Sequence, residues 1–412
     1  MVDLRRDLLG IAQAGVLAVD AGTLLTRALR TSRTLGATSC LSVLAAGKAA
    51  VRMMATADAA LGPRIGARVI AAGDGHPLPT ATSERDGRAA LAMASAVAGD
   101  QLLLVLLSGG ASALMAVPAD GLSLEDKRAT TLRLLRGGAD IHALNAVRKH
   151  LSAIKGGRLA ARAPRSVTFA ISDVIDDDTS VIGSGPTVAD ATTFADALAV
   201  LDRFGGRAGF PASVVGLLEA GAAGSVAETP KPGDPRLAHA ETLVIGSRLD
   251  AAAGAAADAA ARGYHTITIT EPIVGEARAA AAAYLRRVAE LTRGATRPVC
   301  VVSSGETTVS VTGTGRGGRN QEFALAAAEG LDAFGTPVAL ASVGTDGVDG
   351  PTPAAGALSD STTLERARAA GLDAGAYLAN NDSFTFFNSL GDLVQTGPTG
   401  TNVGDLQIFL IA

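Results

Sequence analysis

Six short segments of this chain combine residue types and spacing suited to anion or metal chemistry. Ala46-Gly47-Lys48-Ala49 follows the apolar run Cys40-Leu-Ser-Val-Leu-Ala-Ala and places a lysine where a helix begins. It is not a Walker A loop, because Ser42 stands where the first glycine belongs and Ala49 where Ser or Thr belongs. A helix dipole disfavours a cation at that end, so an ammonium there suggests a use, such as meeting a phosphate, against the plainer reading of a solvated lysine. Ser108-Gly109-Gly110-Ala111-Ser112 follows the run Leu102–Leu107. Small residues ahead of a helix let backbone N–H groups converge on a phosphate or carboxylate, although Gly-Gly also makes ordinary turns. No GxSxG elbow surrounds either serine, which weakens a hydrolase reading.

The run Val167–Ile171 leads into Asp173, Asp176, Asp177 and Asp178. Carboxylates this close repel unless a cation or water separates them, and oxygen-rich sets suit Mg²⁺. Asp173, nearest the strand end, is the preferred ligand; the other three read as a solvated acidic turn. The second half of the chain adds Ser304-Gly305-Glu306, then Gly313-Thr-Gly315-Arg316-Gly317-Gly318-Arg319-Asn320, then Gly344-Thr-Asp346-Gly347. Gly313, Gly315 and Gly318 satisfy the dinucleotide pattern GxGxxG. Arg316 and Arg319 inside that turn suit a terminal phosphoryl group better than a diphosphate. The five histidines are scattered, and only His76 sits in a site-like loop.

These segments need elements to hold them. Apolar runs of strand length alternate with Ala-rich helical stretches such as Glu84–Val97, Asp250–Arg262, Glu276–Thr292 and Asn320–Ala328. That alternation predicts an α/β fold with mostly parallel sheets, whose strand ends carry the loops above. The chain has 412 residues, enough for two to three domains. The Pro-rich, charged stretch 228–240 sets a boundary, giving α/β domains at 1–235 and 236–412.

Composition narrows the class further. Apolar residues at 48% and charged ones at 18% describe a folded, core-rich protein, and a net charge of −4 offers nucleic acid or an anionic membrane no basic surface. Cys40 and Cys300 lie in apolar runs without metal spacing, which fits a cytoplasmic setting and neither a zinc site nor a disulfide framework. The uncharged stretch 102–119 is split by Ser108-Gly109-Gly110 and Pro118 and predicts a buried strand, turn and helix start rather than a membrane span.

Taken in order, AAGKA at 45–49, LLSGGASAL at 106–114, LNAVRKHLSAIKGGRLA at 144–160, ISDVIDDDTSVIGSGPT at 171–187, SSGETTV at 303–309, GTGRGGRNQE at 313–322, GTDGVDGPTPAAG at 344–356 and GPTGTNVGDLQI at 397–408 resemble the class II glycerate 2-kinases, the MOFRL-domain family. The resemblance implies two Rossmann-like α/β domains with an interdomain cleft, and ATP- and Mg²⁺-dependent phosphorylation of D-glycerate at its C2 hydroxyl to 2-phosphoglycerate. It also implies key roles for Lys48 and Arg319. Some relatives carry the name hydroxypyruvate reductase.

Phosphoryl transfer needs in-line positioning and charge neutralisation. The expected roles follow: Lys48 and Arg319 grip the transferring phosphoryl. Either the Ser108, Gly109, Gly110, Ser112 nest or the Gly315, Arg316, Gly317, Gly318, Asn320 loop holds the remaining phosphates or the glycerate carboxylate. Asp173, with Glu306 or Asp346, binds Mg²⁺. An NAD(P)H-dependent hydroxypyruvate reductase is the alternative, and a non-catalytic sugar-acid binding protein a third reading. The partners expected are D-glycerate and ATP, with no nucleic acid and no membrane, and self-association as a homo-oligomer is left open.

Overall fold

The computed structural model describes residues 3–36, 38–73 and 78–412. His76 lies outside the described residues. Contacts divide the chain into two compact units, Ala21–Ile245 and a split unit of Met1–Asp20 with Gly246–Ala412. Composition set the boundary at 235/236; the contacts divide the chain at 245/246 and return its first twenty residues to the second unit. Among the described residues no single helix is long and apolar enough to cross a membrane.

In the unit Ala21–Ile245, five strands form one sheet: β1 (Leu41–Ala46), β2 (Ile65–Ala71), β3 (Leu102–Leu107), β4 (Ser166–Ile171) and β5 (Ala240–Gly246). Their order is β2-β1-β3-β4-β5, and β1–β2, β1–β3 and β3–β4 pair in parallel. Every residue of β1, β3 and β4 is buried, as expected of strands covered on both faces. Leu44, Ala46, Leu103, Val105 and Leu107 share a core with Ala90, Met93 and Ala94 of the helix Ala81–Ser95. That helix starts at Thr80, whose side chain accepts from the Ser83 backbone N–H while Ser83 reciprocates. The stretch 102–119 is a strand, a turn and a short helix, Ala111–Leu114, as its interruptions predicted. The strand order is that of the flavodoxin-type doubly wound sheet, in which the direction of strand addition reverses between β1 and β3.

The second sheet has six strands: β6 (His265–Glu276), β7 (Val299–Thr308), β8 (Val338–Gly344), β9 (Gly356–Asp360), β10 (Leu393–Val394) and β11 (Asp405–Ile411), in the order β10-β9-β8-β11-β7-β6. The α/β class holds, but the expectation of mostly parallel pairing fails here. Only β6 and β7 pair in parallel, because β11 inserts antiparallel between β7 and β8, and β9 runs antiparallel on β8's other side. The apolar run 299–303 continues through residue 308 as the single strand β7.

The first helix explains why the N-terminus joins this unit. In Leu4–Ala18 the buried residues Leu8, Ile11, Ala12 and Gly15 form one stripe. They pack with Ala252, Ala255 and Ala259 of the helix Arg248–Ala261 over Leu406, Ile408 and Leu410 of β11. Side chains this small let the two helices approach closely.

Candidate active site

The loops after β1 and β3 stand side by side at the carboxyl edge of the parallel sheet, where doubly wound folds bind ligands at the point of reversal. They are tied together: the Lys48 N–H donates to the Gly109 carbonyl at 2.9 Å, and the Ala49 N–H to the Ser108 hydroxyl at 3.0 Å. Gly47 has φ 118° and lies against Ser108 so closely that a Cβ would overlap it. Glycine is therefore required there by both conformation and space. The result is an exposed Lys48 side chain at the sheet edge, followed by the helix Ala50–Leu61.

Behind the second loop is a buried polar chain. Ser184 donates to Asn145 Oδ1 at 2.8 Å and so accepts from Ser112 at 2.8 Å. Ser112 in turn receives the Lys155 Nζ, which donates to its carbonyl at 2.7 Å and to its hydroxyl at 3.1 Å. Ser184 is a buried non-glycine residue at φ 62°, a conformation that persists only where the surroundings impose it. The sequence reading named Ser112 but assigned nothing to Asn145, Lys155 or Ser184. Asp173 follows β4 in this unit.

In the other unit the central side chain is Arg319, first residue of the helix Arg319–Ala328. Its Nε and Nη2 hold the Asp405 carboxylate at 2.8–3.0 Å, and its Nη1 donates to Glu306 at 2.7 Å. Asp405 begins β11 opposite Gly305 of β7 and Gly344 of β8. The antiparallel insertion thus delivers a carboxylate to the carboxyl ends of its neighbours. Asn320 Nδ2 adds a third donor to Asp405 at 2.9 Å. Burial pushes the Asp405 carboxyl up against the pull of Arg319. For the guanidinium, burial works against the charge, but Asp405 and Glu306 outweigh it and hold Arg319 above its ordinary value.

The glycine loop before this helix is filled by protein. A Cβ on Gly313 or Gly315 would overlap the segment 380–382, and one on Gly318 would overlap Asp349. The Asp349 carboxylate accepts from the backbone N–H groups of Asn320 at 3.1 Å and Gln321 at 2.9 Å. It therefore occupies the helix N-terminus, the place a dinucleotide's diphosphate would take. Burial dominates its titration, so that despite these donors its carboxyl is pushed up to about 6. Arg316 is exposed, stacked over the Phe384 ring at 4.9 Å.

Among the described residues no three of His, Cys, Asp and Glu converge to hold a metal. Glu306 is paired with Arg319, while Asp346, half-buried in the turn after β8, accepts the Val348 N–H at 3.1 Å. These residues do not build a protein cage; they fit a magnesium ion that arrives on phosphates and takes one or two carboxylates. A cavity of about 680 Å³, lined by Leu9, Gln13, Leu17, Gly344, Gln395 and Thr399 among others, meets this network at Gly344. That volume is in the range of small-molecule sites.

A family model described as a domain of unknown function, DUF4147, matches residues 7–219, and the MOFRL family model matches residues 299–405. D-glycerate 2-kinase of Thermotoga maritima is 38% identical over 90% of this chain and 90% of its own. The chain belongs to the class II glycerate 2-kinase family. Glycerate 2-kinase of Pyrococcus horikoshii is 37% identical over 82% of this chain and 77% of its own. A protein of Agrobacterium vitis with a provisional hydroxypyruvate reductase name is 41% identical over 90% of this chain and 86% of its own. The crystal structure of glycerate kinase from Thermotoga maritima superposes with a TM-score of 0.88, 36% identity and 99% coverage of both chains.

Within this family fold, the segment 144–160 holds most of what sequence reasoning passed over. The sequence reading gave its charges no role, yet Lys149 and Lys155 are buried and Lys149 pairs with Asp190 at 3.2 Å. The signal that could have found them is Gly156-Gly157, both at positive φ, a tight turn directly after a lysine. Asp405 was visible in the polar stretch before β11 but had no local pattern linking it to Arg319.

Proposed function

We propose that this chain catalyses ATP- and Mg²⁺-dependent phosphorylation of D-glycerate at the C2 hydroxyl. The observation that carries this reading over the reductase alternative is the Asp349 carboxylate on the N-terminus of the helix Arg319–Ala328. A built-in anion there repels a diphosphate, and the glycines are accounted for by the segment packed against them.

In this reading the exposed Lys48 ammonium meets the transferring phosphoryl group, and the Ser108–Ser112 turn turns backbone N–H groups to substrate oxygens. Arg319 has five N–H donors. Asp405 and Glu306 engage Nε and one hydrogen each of Nη1 and Nη2, leaving two that a phosphoryl oxygen can accept from. Asp405 acts as the positioning group: it fixes the plane of the guanidinium before substrate arrives. The 680 Å³ cavity suits the nucleoside, because apart from Asp20 its lining residues are apolar or uncharged. Magnesium would neutralise charge on the phosphates, with Asp346 as its protein carboxylate. A cytoplasmic location fits the two unpaired cysteines.

Thermal unfolding with nucleotides tests the choice. ATP with Mg²⁺ should raise the melting temperature and NADH or NADPH should not, because only a ligand of the native state stabilises it. A shift with NADPH and none with ATP would favour the reductase.

A further inference from the structure

Beside Ser112 the unit Ala21–Ile245 contains a recess of about 20 Å³ lined by Ser112, Ala113, Lys127, Arg148 and Lys155 among others. Lys155 is 2% exposed and Lys127 5%. Their ammonium groups donate only to neutral oxygens, Lys155 to Ser112 and to the Gly183 carbonyl, Lys127 to the Leu151 carbonyl at 2.7 Å. The Arg148 guanidinium makes no hydrogen bond or ion pair with any described residue, and no described Asp or Glu lines the recess. Nearby carboxylates are committed elsewhere: Glu84 to Arg88 at 2.6 Å, Asp190 to Lys149 at 3.2 Å, Glu228 to His150 and Lys231 at 3.1 Å. Arg158 Nε and Nη2 are also buried without a partner, as is Asn145 Nδ2 at the end of the serine chain that starts at Ser112.

Burying several cations without an anion is costly. Burial pushes Lys155 well below the ordinary lysine value, and Lys127 and Arg148 add to the effect. Burial likewise brings Lys127 down to about 7 and Arg148 to about 10. Among the described residues the cluster thus lacks the anion that would restore its full charge. Its size selects the anion: at roughly 10–15 Å³ per water-sized group it takes one or two oxygens, the terminus of a carboxylate and less than a phosphoryl group.

Resting on the functional reading above, we propose that this recess binds the carboxylate of the hydroxy-acid substrate, with Arg148 and Lys155 supplying charge. The carboxylate would be held one residue pair away from the Ser108–Gly110 turn, so the recess would explain selection of an acid over a neutral polyol.

The test uses the whole chain, thermal unfolding and steady-state kinetics. D-glycerate should raise the melting temperature of the wild type and neutral glyceramide should not. Arg148→Met should abolish the glycerate shift while melting at or above the wild type without ligand, since it removes a half-buried charge that pairs with no described residue. Its KM for glycerate should rise at least 20-fold with KM for ATP within 2-fold, and Arg148→Lys should recover part of the loss. Lys127→Met, which retains the stem, should show the same direction more weakly. A glycerate shift equal in wild type and Arg148→Met, or none in the wild type, overturns the recess. Failure of the functional reading is separate: it is absence of glycerate turnover with ATP.

Discussion

Arg319 and Asp405 meet side-on, Nε to Oδ2 at 2.8 Å and Nη2 to Oδ1 at 2.9 Å, with the carboxylate fully buried and the guanidinium about one-third exposed. The pair joins the first residue of a helix to the first residue of an antiparallel strand inserted between two others. One face of the arginine is thereby fixed by the protein and the other is left for an anion.

Asp405→Ala should be costly twice over. Breaking a buried pair by removing one partner commonly costs 3–5 kcal/mol; the partial exposure of Arg319 puts this one near the lower end, about 3 kcal/mol. Urea unfolding should show that loss, and kcat should fall at least 10-fold in the fraction that remains folded. Wild-type stability in the variant would mean that the pair does not hold the strand and helix together.

Much of the first sheet was legible, because β1, β3 and β4 are uncharged, mostly apolar runs of strand length, the pattern of strands buried on both faces. The second sheet was less so. Whether β11 runs with or against β7 depends on how the chain returns to the sheet, and the residues of Asp405–Ile411 are the same in either direction. The loops bearing Lys48, Ser108 and Arg319 were found because glycines and charges interrupt apolar runs. Lys155 and Arg148 were not, because their burial comes from packing distant in sequence.

Gly318→Ala distinguishes packing from cofactor binding. The added Cβ would overlap Asp349, so the variant should unfold about 1–3 kcal/mol more easily than the wild type. A dinucleotide turn predicts the opposite pattern, with stability retained and cofactor affinity lost. Chemical denaturation of both proteins decides between them.

Asp349 should mark the stability of the protein with pH. Its folded-state carboxyl is raised from 3.8 to about 6, chiefly by burial, so the native state holds its proton more tightly than the unfolded chain. Its contribution is complete below about pH 4 and is lost as pH rises through about 6, on the order of 2–3 kcal/mol. Relative to Asp349→Asn, the wild type should lose stability between pH 4 and 7. A difference that grows in the other direction would show the carboxylate to be favoured by its N–H donors after all.

Lys48→Ala should separate chemistry from folding. The side chain is exposed at the sheet edge, so its unfolding midpoint should stay near wild type, while kcat falls about 100-fold, the scale of one lost transition-state contact. Near-normal turnover would remove Lys48 from the reaction.

The most direct measurement is the identity of the product. Incubated with D-glycerate, ATP and Mg²⁺, the protein should yield 2-phosphoglycerate, with ³¹P and ¹H NMR placing the phosphate on the C2 oxygen and one ADP formed per ester. Oxidation of NAD(P)H by hydroxypyruvate, with no ATP consumed in the presence of glycerate, would contradict the account.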